Sequence, residues 1–357
     1  MLLQGLFSPK AAAVVGLDIS TASVKLVELS FPSAGPRLER YVIEALPEGA
    51  VVDGDILNLE LVVEAVQRAW KRLGSRHKSV TMALPTAAAI TKKIVVPVGL
   101  SEDELEVRVI AEADQYIPFD LDEVNLDFQV LPSTAPGSLE VEVLIVAARK
   151  ERVEDRIAVA EAAGLRALAL TVESFAMLAA LEIMRQGDKD PALTPTLGVI
   201  DIGAHLLSLH VVRSESVIYS REQQFGGNAL TRAIVRQYGL SPAEAEAMKR
   251  TATHPDDYHG KVLQPFLDDA VLEVSRALQF YQDAVRGVDI DQLILIGGSA
   301  VIPGLAEVIA ASTGITTRVA NPFANMPMAS AVPRAHLRDD APALMVACGL
   351  ANTKVMA

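Results

Sequence analysis

Two segments of this 357-residue chain repeat one pattern, and the repeat limits the folds open to it. Each has an apolar run ending on an aspartate, a turn of small residues and a second strand-like run. The first is VGLDISTASVKLVEL, with Asp18 at the end of its apolar run. The second, VIDIGAHLLSLHVV, carries Asp201, 183 residues further on. That separation far exceeds the roughly 20–50-residue period of a solenoid. The pattern therefore predicts two similar lobes, each opening on a β-hairpin whose turn carries an aspartate. A turn of small residues aims several backbone N–H groups in one direction, and such a nest holds phosphate oxygens. An aspartate at the strand end can hold Mg²⁺, largely through water, because Mg²⁺ dehydrates reluctantly. Two facing hairpins would clamp a polyphosphate from both sides. A single hairpin of this kind is also what an ordinary tight turn looks like; the second copy argues against that reading.

The candidate phosphate-side residues are Asp18, Ser20, Thr21, Ser23 and Lys25 in the first hairpin, and Asp201, Gly203 and Ala204 in the second. Lys25 returns along the second strand as a point charge for phosphate. Two further turns sit where a flat ligand needs close backbone approach. Gly297-Gly298-Ser299 follows the apolar run LILI, and Gly226-Gly227 precedes a helix-patterned stretch. Glu246 and Lys249, three apart on one helical face, read either as a solvated ion pair or as ribose and purine contacts. The histidines pair as His205 with His210 and His254 with His259, at spacings that do not match ligands on one helix, and no Cys set completes a metal site. A Walker A loop and a GxSxG elbow are both absent.

Hydrophobic periodicity predicts strands over 14–20, 23–30, 37–46 and 79–84, with a helix over 60–73 ended by Gly74. Residues 87–164 then read as a compact inserted unit. It has a strand over 91–97, a helix to Tyr116 opened by a Ser101–Glu104 capping box, strands over 125–132 and 141–149 joined by STAPGSLE, and a helix over 151–163. A strand over 168–172 and a helix over 174–184 follow, and polar QGDKDPALTPT reads as an inter-lobe connection. The second half is read as strands over 197–202, 206–213 and 292–296, with helices over 229–238, 242–250, 262–285 and 303–312. The expected division is a first lobe of 1–86 plus 165–190, the insert at 87–164, and a second lobe of 191–357 with a smaller part near 221–285.

Composition narrows the function. Thirty-two Lys and Arg against 45 acids give a net charge of −13. That argues against a broad nucleic-acid surface and against direct docking to anionic lipid. Aromatics are only 4% of a chain that is 50% hydrophobic, so its cores are built from Ala, Val, Leu and Ile. The lone Cys348 cannot form an internal disulfide, which fits a reducing compartment, and its apolar context reads as core. No run reaches the roughly 20 apolar residues of a spanning helix. MLLQGLFSPK lacks a signal-peptide pattern and reads as a frayed end or a short docking tip. The chain is therefore expected in the cytoplasm.

The ordered set of Asp18–Lys25, Asp201–Gly203 and Gly297-Gly298-Ser299 resembles the superfamily of actin, sugar kinases and heat-shock chaperone ATPases. That likeness implies an α/β, actin-like (ribonuclease H-like) two-lobed ATPase fold. It places Glu173, in TVESFAML, near the metal and the attacking water. The insert resembles the distinctive subdomain 1C of the FtsA branch. Within that branch, GLDISTASVKLVELS, EADQYIPFDLDEVNLDFQVL, VLIVAARKERVE, TVESFAML and REQQFGGNALTRAI resemble the type IV pilus assembly family PilM. That resemblance implies bound ATP and Mg, with at most weak hydrolysis. It also implies binding of the N-terminal cytoplasmic segment of PilN in a groove between subdomains 1A and 1C, where by position the 91–97 strand and 101–116 helix are candidates. The implied role is pilus assembly and twitching motility as part of the inner-membrane complex, with peripheral attachment through the partner and possible self-association. FtsA usually ends in an amphipathic membrane helix, whereas CGLANTKVMA has no basic amphipathic character. A filament-forming FtsA-like protein and a sugar-kinase-type phosphotransferase are the alternatives, the latter lacking a candidate catalytic base. One departure stands out: Ser20 occupies a turn position where the superfamily usually has Gly, which would be unfavourable if that turn needs positive φ.

Overall fold

The computed structural model describes residues 14–33, 35–131, 139–185, 195–251 and 253–352. MLLQGLFSPK, most of STAPGSLE and QGDKDPALTPT, and the end of CGLANTKVMA lie outside the described residues. In chain order the first half has strands β1 (Val15–Ile19), β2 (Ser23–Ser30), β3 (Arg37–Ala45), β4 (Val51–Val52) and β5 (Asp55–Ile56). Helix α1 (Leu59–Leu73), β6 (Ser79–Leu84), β7 (Ala89–Pro97), α2 (Glu102–Ala113), β8 (Val124–Val130), β9 (Glu140–Arg149), α3 (Lys150–Ala162), β10 (Arg166–Val172) and α4 (Glu173–Arg185) follow. The second half has β11 (Leu197–Ile202), β12 (Leu206–Arg213), β13 (Ser216–Gln224), α5 (Asn228–Tyr238), α6 (Pro242–Lys249) and α7 (Gln264–Ala284). It ends with β14 (Gln292–Ile296), α8 (Leu305–Thr313), β15 (Thr317–Val319), α9 (Arg334–Asp340) and α10 (Met345–Asn352).

The repeat seen in the sequence is a repeat of sheets. One five-stranded sheet has the order β3-β2-β1-β6-β10, the other β13-β12-β11-β14-β15. In each, the first three strands are antiparallel and the last two run parallel to the central one. Helices cover both faces, so central strands are apolar on both sides. Val15, Leu17, Ile19, Val24 and Leu26 pack under α1 and α3, while Val27 and Leu29 pack on the opposite side. Gly74 ends α1 in the left-handed region, and the Ser101–Glu104 capping box opens α2. α2 stops at Ala113, three residues short of the expected Tyr116.

Two expected boundaries differ in the structure. The insert's own core is Ile94, Val96, Val109, Ala113, Val143 and Ile145, which belong to β7, β9 and α2. By contrast, Val159 and Ala160 of α3 join the first-lobe core with Val62, Val66 and Val80, and Gln67 Nε2 on α1 donates to Ala162 O at 3.3 Å. The chain between 150 and 164 therefore belongs by packing to the first sheet rather than to the insert. The C-terminal segment also returns to the first sheet. Leu38 N–H on β3 donates to Pro327 O, Tyr41 Oη donates to Asp340 Oδ2 at 3.1 Å, and Ala347, Cys348 and Ala351 of α10 pack with Val27 and Leu29. A second lobe running to residue 357 is corrected accordingly, because β1–β3 would otherwise leave an apolar face uncovered.

Gly16 on β1 and Gly349 on α10 permit this closure. A Cβ at Gly16 would lie 2.7 Å from Ala351 N, and one at Gly349 would lie 2.5 Å from the Ala176 carbonyl carbon on α4. Both obstacles are backbone, which cannot swing aside. Gly349→Ala is expected to cost about 1–3 kcal/mol or more, outweighing the higher helix propensity of Ala. A denaturation midpoint equal to wild type would show that α10 can shift to make room.

Candidate nucleotide cleft

The first hairpin turn is closed by Ser20 N–H donating to Ser23 O at 3.0 Å. Ser20 Oγ donates to the same carbonyl at 3.0 Å and accepts from Lys25 Nζ at 2.8 Å. Lys25 Nζ also lies 2.9 Å from Asp18 Oδ2. Register explains this meeting, since Asp18 and Lys25 are paired across β1 and β2. Ser20 does not have positive φ, so the departure from Gly brings no backbone strain. Its hydroxyl instead fixes the lysine.

The second-lobe candidates form one connected cluster. Gly203 N–H donates to Leu206 O, Gly227 N–H to Gly203 O, Asn228 N–H to Ala204 O, and Ser299 N–H to Ile202 O. Ser299 Oγ donates to Gly203 O at 3.0 Å. Lys249 Nζ donates to Gly227 O at 3.1 Å, to Thr231 Oγ1 at 3.0 Å and to Glu246 Oε1 at 2.9 Å, while Thr231 Oγ1 donates to Glu246 Oε1. The Glu246–Lys249 pair is thus tied into the glycine turn through its lysine, while the glutamate side chain stays 45% exposed. The glycines leave a cradle that side chains would fill. A Cβ at Gly226 would sit 2.5 Å from Ala204 O, and one at Gly227 would meet Ser299 Oγ and lie 3.3 Å from Lys249 Nζ. Gly297 has φ 87°, and a Cβ there would meet Asp201 Oδ1; at Gly298 it would enter open space. A lysine, a hydroxyl and exposed turn backbone fit a nucleotide, with Asp18 and Asp201 available for a hydrated divalent ion.

Glu173 opens α4 at the base of this cleft. Burial, then the Asp18 charge, push its carboxyl up to about 8, against the pull of Arg156. Burial likewise raises Asp201 to about 6, with Lys25 opposing and Asp18 and Glu222 adding to the rise. The three carboxylates thus feel one another. A cavity of about 30 Å³ beside them is lined by Thr86, Glu173, Asp201, Ser208, His210 and Glu222. Burial pushes His210 down to about 4, and its Nδ1 pairs with Ser220 Oγ at 2.8 Å, so the ring is neutral at physiological pH.

Sequence reasoning missed Arg156. It is only 2% exposed on α3, and its guanidinium donates from Nε to Ala83 O at 2.8 Å and from Nη2 to Gly54 O at 3.1 Å. This places the positive charge near Glu173 and Asp18. The signal was present: Arg156 shares a helical face with Val159 and Ala160, which are both buried. Thr231, which carries the Lys249–Glu246 network, had no comparable signal.

A family model described as type IV pilus assembly protein PilM matches residues 16–354. A chain solved in a PilM-PilN type IV pilus biogenesis complex is 28% identical, with a TM-score of 0.79, covering 97% of this chain and 100% of that one. The cell division protein FtsA of Enterococcus faecalis (strain ATCC 700802 / V583) is 24% identical over 341 residues, which is 84% of this chain and 76% of FtsA. The ethanolamine utilization protein EutJ of Escherichia coli (strain K12) is 28% identical over 134 residues; that match covers 36% of this chain and 45% of EutJ. With its two actin-like lobes and a family match along nearly its whole length, the chain belongs to the type IV pilus assembly protein PilM family.

Proposed function

We propose that this chain is an ATP·Mg-holding scaffold of the type IV pilus inner-membrane complex, and that it binds the N-terminal cytoplasmic segment of PilN between its first lobe and its insert. The observation that carries the reading is the full-length likeness to a chain solved in a PilM-PilN complex. The cleft supports the nucleotide half. Lys25 and the turn backbone of the two hairpins would supply the phosphate side, the Gly226–Gly227 and Gly297–Ser299 turns would form the floor, and Asp18 with Asp201 would hold a hydrated Mg²⁺. Bound ATP would supply a polyphosphate that joins the two hairpins and stabilises the folded clamp by mass action. Among the described residues no helix is long and apolar enough to cross a membrane, and attachment to the inner membrane through PilN agrees with that.

The test is a pull-down of the full chain on a PilN N-terminal peptide, with and without Mg·ATP. No retention in either condition would sink the partner assignment. Asp201→Ala is expected to weaken nucleotide retention at least tenfold, read by calorimetry; unchanged affinity would remove the second hairpin from the phosphate site. The FtsA likeness supports a second reading, a self-associating filament, which sedimentation with nucleotide would reveal as concentration-dependent growth.

A further inference from the structure

Helix α2 has two apolar faces but packs only one of them. Leu105, Val109 and Ala113 turn inward onto the insert's sheet. On the other side Val107 is 68% exposed and Ile110 42% exposed, with the exposed Ala111 beside them. Residues three and four apart share a helical face, so Val107, Ile110 and Ala111 form one stripe. Asp103, Glu106 and Asp114 stand on that same face at spacings of four. None of these three carboxylates has a cationic partner among the described residues. The one arginine of the helix, Arg108, is paired with Glu112 at 3.2 Å.

The stripe also points away from the second lobe. Lys93, which alternates with the core residue Ile94 and so faces the other side of the insert's sheet, reaches Ser216 Oγ of the second lobe at 3.5 Å. α2 covers the opposite side. This surface therefore lies on the face of the insert turned from the second lobe, and the inference rests on that face rather than on the PilN reading.

From this geometry we infer that the outward face of α2 docks a cationic amphipathic helix of a partner protein. Burying two branched aliphatic side chains supplies the apolar part of such a contact. Unpaired carboxylates bordering them favour Lys or Arg flanking an apolar stripe, and they disfavour anionic lipid and a second copy of the same acidic face. The contact has the form of helix-to-helix recognition read at i, i+3, i+4 spacing.

The test uses the full-length protein and a fluorescent 14-residue Leu/Lys peptide with its leucines in one helical stripe. A control peptide of the same composition has the leucines scattered. At low salt, anisotropy should show at least tenfold tighter binding of the striped peptide. Val107→Ser with Ile110→Ser should reduce its affinity to that of the control, while Asp103→Lys with Glu106→Lys should weaken both peptides. Both pairs lie on the exposed face, and unchanged thermal melts would confirm folding. Equal binding of the two peptides, or no loss in the Val107/Ile110 double variant, would overturn the inference. So would a dimer in sedimentation that this double variant abolishes, because the occupant would then be a second copy of this chain.

Discussion

Glu173→Gln is expected to leave stability unchanged near pH 4 and to make the nucleotide-free protein progressively more stable than wild type as pH rises towards 8. The sign follows from the direction in which the carboxyl is moved. Burial and the Asp18 charge hold the folded carboxyl up at about 8, whereas the unfolded chain releases that proton near its ordinary value of 4.5. The protonated form is therefore favoured by folding, and its contribution is complete below pH 4.5 and lost as pH climbs through 8. Glutamine mimics the protonated carboxyl and does not titrate. The difference between the two proteins should open between these limits and reach a few kcal/mol, since each tenfold change in proton affinity between the folded and unfolded chain is worth about 1.4 kcal/mol. Asp201, raised to about 6, adds a smaller slope between pH 4 and 6 to both proteins and cancels in the comparison. Urea midpoints from pH 4 to 9 measure it. A difference that stays constant with pH would mean that Glu173 is hydrated in the free protein.

Arg156→Met should be the most damaging single change in the cleft. It strips hydrogen bonds from Ala83 O and Gly54 O and removes the cation that offsets Glu173 and Asp18. Breaking one side of a buried charge cluster costs about 3–5 kcal/mol, because the remaining charges are left uncompensated. The loss should be greatest above pH 8, where Glu173 is charged, and shrink as pH falls below it, and at high pH the double variant with Glu173→Gln should lose less than the sum of the singles. Arg156→Lys should recover only part, since an ammonium cannot reproduce the planar fork that spans two carbonyls. Strict additivity in the double-mutant cycle would show that Arg156 acts through packing alone.

Much of this architecture was readable because its causes are local. The apolar runs at β1 and β11, the Ser101–Glu104 box and Gly74 each announce themselves within a few residues. β13 was not readable for an equally local reason. The usual hairpin signal is Asn-Gly or Asp-Gly, and here Ser214 and Glu215 take positive φ, 48° and 64°, in the turn between β12 and β13. Such a turn is held by the pairing of the strands rather than by its own residues. The β4–β5 turn does carry Asp53-Gly54 at positive φ, and that signal went unused.

The two Asp-bearing hairpins belong to the sequence itself: alternation, small residues and an aspartate at the strand end are enough to specify them, and their repetition implied two lobes. Other features were decided only by tertiary closure. Whether α3 packs with the insert or the first sheet, where α10 returns, how Ser20 meets Lys25 and why an arginine stands among buried apolar residues all depend on which surfaces meet across the fold. The physical reason is range. Hydrogen-bonded periodicity is set within a turn or a strand pair, whereas burial, and the charges that burial brings together, is set by segments far apart in the chain.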